Sequence, residues 1–288
     1  MEQTWFITGS SRGLGRALAR AALDAGDRVA ATARQPAHLD DLVAEYGERV
    51  HAIALDVTRA SAARAAIADA HRHFGRLDVI VNNAGYANVS PIETTDDENF
   101  RAQFETNFWG VYHVSKAAIP FLREQGSGIV MQISSVGGRV GGSSGIASYQ
   151  AAKFAIDGFS RVLQAETAPF GVKVIVVEPS GFRTDWAGSS MIVQDIPEAY
   201  ARTVGAMNTR MRQSADGPAG DPARAAEILV QVAKRRDIPY LALGVNAVEG
   251  AIRLDEQLLA EDRRWQEVSR SADFGEPYPV PLPADSPA

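Results

Sequence analysis

Tyr149 and Lys153 stand four apart in Tyr149-Gln150-Ala151-Ala152-Lys153, and in a helical segment residues at that spacing share one face. A phenol and an ammonium then occupy one small volume. An unperturbed tyrosine has a pKa of about 10, and a neighbouring positive charge brings its phenolate nearer the working range for proton exchange. On its own the pair decides little, because a tyrosine and a lysine so spaced are more often a half-buried ring beside a solvated charge. A second stretch, Thr8-Gly9-Ser10-Ser11-Arg12-Gly13-Leu14-Gly15, follows an apolar run and opens a helical one. Glycines there let the backbone turn sharply and approach a pyrophosphate, while the helix N-terminus offers unpaired N–H groups and a partial positive charge. Such a strand-turn-helix is a dinucleotide cradle.

The elements that must hold these residues are legible as alternation. Apolar runs at 4–8, 28–33, 51–55, 79–82, 129–134, 173–177 and 240–243 are separated by amphipathic stretches at 14–25, 60–74, 100–122 and 149–168. Short, nearly continuous apolar strands between helices indicate a parallel sheet covered on both faces. The expected fold class is α/β, a doubly wound parallel sheet (Rossmann fold). Nothing divides residues 1–245, which are expected to form one dinucleotide-binding catalytic domain. Residues 246–276 read as a C-terminal helical extension, and 277–288, dense in proline, as an extended or disordered tail.

With Asn82-Asn83-Ala84-Gly85, Asn107 and Ser134-Ser135 added, the chain resembles the short-chain dehydrogenase/reductase family. The matches, including Gly9-Gly13-Gly15 and Tyr149 with Lys153, fall in order across roughly residues 4–184. The resemblance implies that Tyr149 exchanges a proton with a carbonyl or hydroxyl oxygen. Lys153 would hold the nicotinamide ribose and lower the tyrosine pKa, Ser135 would bind the substrate oxygen, and Asn107 would complete a proton relay. It further implies cofactor contacts from Gly9, Ser11, Arg12, Gly13, Leu14, Gly15, Arg34, Asp56, Val57, Asn83, Ala84, Gly85, Tyr149, Lys153, Pro179 and Thr184.

Several of these have readings of their own. Ser134 and Ser135 end a strand, where ligands bind in open α/β sheets, but serine also forms turns there. The family's usual serine-to-tyrosine offset of thirteen falls on Val136, and Ser135 precedes Tyr149 by fourteen. Asparagines at Asn82-Asn83 can tie strand ends together, and Asp56 either accepts from an adenine amino group or opens a loop. Ser180 stands where the family usually has glycine, with Gly181 next to it.

Cofactor choice turns on the end of the second strand, Ala30-Ala31-Thr32-Ala33-Arg34. Ala33 occupies the place where NAD-preferring relatives carry aspartate, so no carboxylate repels a ribose 2′-phosphate. Arg34 and Arg12 bring two guanidinium groups to the cofactor-facing turns, and their planar fork suits a phosphate. NADP(H) is therefore expected, with NAD(H) as the alternative.

Residues 186–221 follow a strand end on the ligand side, where lids are found. Trp186, Met191, Ile192, Val193, Tyr200, Met207 and Met211 supply an apolar wall, either for an apolar ketone or secondary alcohol or for packing the lid down. Beyond it, 247–269 reads as an amphipathic helix with Ile252, Leu254, Leu258 and Leu259 on its apolar side. A homo-oligomer, dimer or tetramer, is expected, with Ala117, Ala118, Phe159 and Val162 packing across subunits. The net charge of -6 argues against nucleic acid or an anionic membrane as partner. The absence of cysteine removes thiolate chemistry, and the five histidines, including His71 and His73, show no metal-ligand spacing. No metal is expected. Without a secretory leader or a membrane-length apolar run, the expected location is cytoplasmic. A sugar-nucleotide epimerase or dehydratase of the extended family, and a non-catalytic NADP-binding regulator, are the competing classes.

Overall fold

Strands buried on both faces carry nearly continuous apolar side chains, and the central strands here approach that pattern, with Gln132 in the fifth and Lys173 in the sixth as interruptions, because helices cover each side of the sheet. The computed structural model describes residues 2–184, 186, 191–213, 219–235 and 237–284. Its strands are β1 (Thr4–Ile7), β2 (Arg28–Ala33), β3 (Val50–Ala54), β4 (Val79–Asn82), β5 (Gly128–Ile133), β6 (Val172–Pro179) and β7 (Tyr240–Leu243). They form a seven-stranded parallel sheet in the order β3-β2-β1-β4-β5-β6-β7. Ile7 pairs with Ala31 on one side and Val81 on the other. The strand order reverses at this point, and ligands bind just past such a reversal.

The helices are α1 (Gly13–Asp24), α2 (Asp40–Tyr46), α3 (Ala60–Phe74), α4 (Asp97–Phe104), α5 (Gly110–Gln125), α6 (Ala147–Thr167), α7 (Ala206–Gln213), α8 (Pro222–Arg235) and α9 (Val245–Arg270). Alternation along each strand sorts the core into two layers. Trp5, Ile7, Val29, Val81 and Met131 pack with Leu18, Leu23 and Leu229 of α1 and α8. Phe6, Ala30, Ile80, Val130 and Val174 pack with Ile67, Val114 and Leu163 of α3, α5 and α6. Each such fully buried large side chain contributes about 1.5–3 kcal/mol.

The expected helix over 100–122 is longer and is interrupted. Between α4 and α5 the chain makes a π-helical turn, Glu105–Trp109. The sequence reading missed α2, whose one buried side chain is Leu42. It is held by α1, where Arg16 bonds Asp41 and Arg20 bonds Glu45 at 2.7 Å, so its stability is tertiary rather than local.

Two packing expectations need correction. Ala118 and Ala117 are buried in the protomer's own core, which removes them from any subunit surface, whereas Trp109, Phe154 and Val162 on the neighbouring helical faces are exposed. On α9 the expected apolar side, Ile252, Leu258 and Leu259, is about half exposed, while Ala247 and Ala251 are buried. A Cβ on Gly250 would stand 3.6 Å from Val140 and 3.8 Å from Val136. The helix thus docks through its small residues, because these let its backbone approach the 136–140 turn. Residues 277–284 have no regular secondary structure, and Arg264 of α9 donates to Ala284 O. Residues 285–288 of the expected tail lie outside the described residues.

Candidate active site

The turn after β1 is tied to the turn after β4. Thr8 Oγ1 accepts from the N–H groups of Asn83 at 2.9 Å and Ala84 at 3.0 Å. Asn83 Nδ2 donates to Thr8 O at 2.9 Å and Gly9 O at 3.2 Å. Gly9 has a φ of 69° and Gly13 one of 58°, conformations that a side chain would strain. A Cβ on Gly15 would overlap Gly9 O and the Asn83 amide, and one on Gly9 would come within 3.1 Å of Ala84 Cα. Ser11 is half-buried and Leu14 packs partly into the core. Thr184, past β6, lies across the cleft, 3.5 Å from where a Gly13 Cβ would be. Backbone this close, at a helix N-terminus and a strand-order reversal, fits the pyrophosphate of a nicotinamide dinucleotide.

The turn after β2 leaves Ala33 buried and Arg34 exposed, and Arg12 is also exposed. Among the described residues the guanidinium groups of Arg12 and Arg34 make no ion pair or hydrogen bond, Arg34 acting on Tyr86 by charge alone, whereas the neighbouring Arg16 is engaged by Asp41 and His38 O. Asp56 Oδ1 accepts from Thr58 N at 3.0 Å and Thr58 Oγ1 at 2.8 Å, so that oxygen opens a loop. Val57 is buried, and its carbonyl lies 3.1 Å from His113 Nδ1.

Tyr149 sits in the first turn of α6 and Lys153 in the next, both buried. Lys153 Nζ lies 5.6 Å from the Tyr149 ring centroid and donates to Ile133 O at 2.7 Å. The two serines separate clearly. Ser135 accepts from Gly137 N at 3.0 Å and faces the Tyr149 hydroxyl, while Ser134 Oγ donates to Lys153 O at 3.3 Å and faces Asp157. The short helical turn Val136–Gly138 absorbs the extra residue of the serine-to-tyrosine offset. Val136, at the usual offset, lies instead beside Gly250 of α9.

Asn107 lies in the π-helical turn, a distortion frequent at functional sites, and is fully buried. Its Oδ1 accepts from Tyr86 N at 3.0 Å and its Nδ2 donates to Tyr86 O at 2.8 Å. The loop past Gly85 is thereby fixed. A Cβ on Gly85 would be 2.7 Å from Asn107 Oδ1 and 3.7 Å from Lys153 Nζ, so Gly85 keeps the ammonium open to the cradle.

Burial pushes the Tyr149 hydroxyl up to about 12, with the facing Ser135 hydroxyl pulling the other way. Burial also pushes Lys153 down to about 8, opposed by the charge of Asp157. The expected lowering of the tyrosine by the lysine does not prevail in the protein alone, because both groups have lost their hydration and the ammonium donates to Ile133 O.

The lid residues reach the same place from far along the chain. Val193 forms a parallel bridge with Val89, flanked by Val89 N to Ile192 O and Gln194 N to Val89 O, both at 2.9 Å. Met191 and Val204 are buried against Ala87, Val89, Ile146 and Tyr149, with Trp186, Val193, Tyr200 and Met211 beside them. Trp186 meets the Tyr149 ring edge-on at 5.2 Å between centroids. Residues 187–190 and 214–218 of the expected lid lie outside the described residues. Near Pro179, Ser180 N donates to Leu243 O at 2.9 Å, and the positive φ beside it belongs to Gly244, at 100°.

The sequence reading did not single out Thr8, Tyr86 or Asp157. Thr8 opens the glycine-rich motif but was given no role there, and both Thr8 and Tyr86 act through partners distant in the sequence. Asp157 did carry a signal: it is an acid in the apolar run Ile156-Asp157-Gly158-Phe159, four residues after Lys153.

The model of the short chain dehydrogenase family matches residues 3–192. Over 271 residues the chain is 49% identical to oxidoreductase BOA17 of Botryotinia fuckeliana, covering 93% of this chain and 98% of that protein. A short-chain dehydrogenase from Streptomyces avermitilis, at 40% identity, superposes with a TM-score of 0.87 over 95% of this chain and 100% of that one. A short chain dehydrogenase from Burkholderia cenocepacia in complex with NADP, at 25% identity, gives 0.73 over 91% of this chain and 97% of that one.

Proposed function

We propose that this chain, which belongs to the short-chain dehydrogenase family of NAD(P)-dependent oxidoreductases, interconverts a mainly apolar ketone and the corresponding secondary alcohol, with NADP(H) as its preferred cofactor. The observation that carries the reading is the convergence of three side chains: Ser135 faces the Tyr149 hydroxyl, Lys153 Nζ lies 5.6 Å from the Tyr149 ring centroid, and Gly85 opens the ammonium to the cradle. When bound, the nicotinamide supplies or accepts the hydride. Gly9, Gly13, Gly15 and the α1 N-terminus hold the pyrophosphate, and Pro179 and Thr184 border the nicotinamide side. Arg12 and Arg34, without ion pairs among the described residues, take the 2′-phosphate.

In the reductive direction the Tyr149 hydroxyl gives its proton to the carbonyl oxygen, which Ser135 orients. A tyrosine held neutral by burial suits that donor role. The resulting phenolate is stabilised by the Lys153 ammonium and reprotonated along the Lys153–Asn107 side of the site. The lid, taken as residues 186–221, excludes water and offers Trp186 to the substrate's apolar substituent. Residues 1–245 act as the catalytic domain and 246–276 as an extension, and Trp109, Phe159 and Val162 support homo-oligomer packing.

The test is NADPH-dependent reduction of an apolar ketone panel by the unmodified protein and by Tyr149→Phe. Proton transfer of this kind is worth about 10² to 10⁴ in rate. That loss of kcat, with NADPH affinity kept, is expected; near-full activity in the variant would remove Tyr149 from the chemistry.

A further inference from the structure

One turn beyond Lys153 on α6 stands Asp157, a carboxylate the reaction described above does not use. It is 7% exposed, and its Oδ1 has no hydrogen-bond partner among the described residues. At this i,i+4 spacing the two side chains lie over one another on the same helical face. Lys153 is 4% exposed, and among the described residues its Nζ has one hydrogen bond, to Ile133 O. A buried ammonium facing only neutral groups favours its uncharged form. The nearby carboxylate opposes that loss of charge.

The surroundings leave few other groups for this task. On α6, Arg161 also faces Asp157 but gives its Nε to Tyr240 at 2.9 Å. On β6, Glu178 is 1% exposed and repels Asp157. Glu178 is met at 3.1 Å by Arg139, which is held in turn by Asp255 of α9 at 2.5 Å. Glu178 thus has its own cation. After β5, Ser134 faces the Asp157 carboxylate while its Oγ donates to Lys153 O at 3.3 Å, so the same serine neighbours both residues. Burial together with Glu178 raises Asp157 to about 7, against the pull of Ser134, Lys153 and Arg161.

We propose that Asp157 is a positioning residue for Lys153, holding the buried ammonium charged and aligned for Tyr149 and the cofactor ribose. The inference rests on the proposed roles of Tyr149 and Lys153. Removing the carboxylate lets Lys153 lose its proton at lower pH. The electrostatic support for the Tyr149 phenolate and a donor to the ribose then disappear together as pH rises.

The experiment compares the unmodified protein, Asp157→Asn and Asp157→Glu in NADPH-dependent ketone reduction between about pH 6 and 10, where an essential protonated lysine sets the alkaline limb. The expected result for Asp157→Asn is an alkaline limb about one pH unit lower, with restoration by Asp157→Glu. NADPH affinity, read by fluorescence in the absence of substrate, should weaken with rising pH earlier in Asp157→Asn than in the unmodified protein. A structural defect alone would scale kcat at every pH without moving the limb. If Asp157→Asn does not fold, Asp157→Ser is read in its place. An unshifted limb and an unshifted affinity profile in a folded variant overturn the proposal. Tyr149→Phe, run beside them, separates the two claims: retained turnover there defeats the reading of Tyr149, while the affinity profile still tests Asp157 against Lys153.

Discussion

At the end of β1, Thr8, Gly9, Asn83 and Ala84 are joined by hydrogen bonds of 2.9 to 3.2 Å that involve backbone atoms; the lid, by contrast, closes on the same cleft mainly through an apolar cluster, pinned by the Val89–Val193 bridge and by hydrogen bonds from Ile192 N to Asn88 Oδ1 at 3.1 Å and from Tyr200 to Glu93. The cradle is glycine-rich and built from two short turns, with Arg12 as its one charged side chain. The catalytic strip and lid hold buried titratable groups and side chains drawn from residues 87 to 211. Hydrogen-bonded backbone admits one geometry, whereas Met191, Met211 and Trp186 form a wall that can repack. On the proposed reading, the cradle side sets which cofactor enters, and the lid half adapts to the substrate.

The comparison breaks first at the cofactor. If the cradle side alone reads the 2′-phosphate, Arg34→Ala should lower kcat/KM with NADPH by about 10- to 100-fold, the worth of a charge-assisted hydrogen bond, and spare NADH. Ala33→Asp should swing preference toward NADH. Steady-state kinetics with both cofactors check this, and an equal loss with each would mean that Arg34 does not contact the phosphate.

A smaller effect concerns where pH dependence resides. The folded state keeps a proton on Asp157 up to about pH 7, whereas an unfolded aspartate releases it near 4. The stability this group contributes is therefore full below pH 4 and is lost as pH rises through 7. Lys153, lowered to about 8, has the opposite sign: its contribution is full above an unfolded lysine's pKa of about 10.4 and is lost as pH falls through 8. Urea unfolding of the cofactor-free protein at pH 5 and 7.5 should show a decline that Asp157→Asn removes, by up to about tenfold in the unfolding constant per pH unit. An unchanged slope in the variant would place the titration elsewhere.

The smallest expected change is at the lid. Trp186→Ala removes the ring that meets Tyr149 edge-on, a contact worth about 0.5–1.5 kcal/mol beyond area burial. KM for the ketone should rise by roughly three- to tenfold, with NADPH affinity unaltered. A parallel fall in NADPH affinity would show that the two halves of the site are coupled rather than separate.

Several features needed nothing beyond the order of residues. The alternation of apolar runs with amphipathic stretches gives the parallel sheet, since burial on both faces demands nearly continuous apolar strands. Gly9 and Gly13 give the turn because their positive φ is one that side chains strain, and Tyr149 with Lys153 gives the proposed acid/base pair because helical spacing makes them neighbours. Each of these is a local constraint. Tertiary structure decided what depends on distant partners. It separated Ser135, which faces Tyr149, from Ser134, which faces Lys153 O and Asp157. It formed α2 through ion pairs with α1, turned Ala117 and Ala118 into core, and docked α9 by its small face. It also buried Asp157 beside Lys153, where the loss of hydration gives that carboxylate an influence its place in the sequence did not show. Burial and non-local contact are properties of the assembled sheet and helices, and no spacing along the chain encodes them.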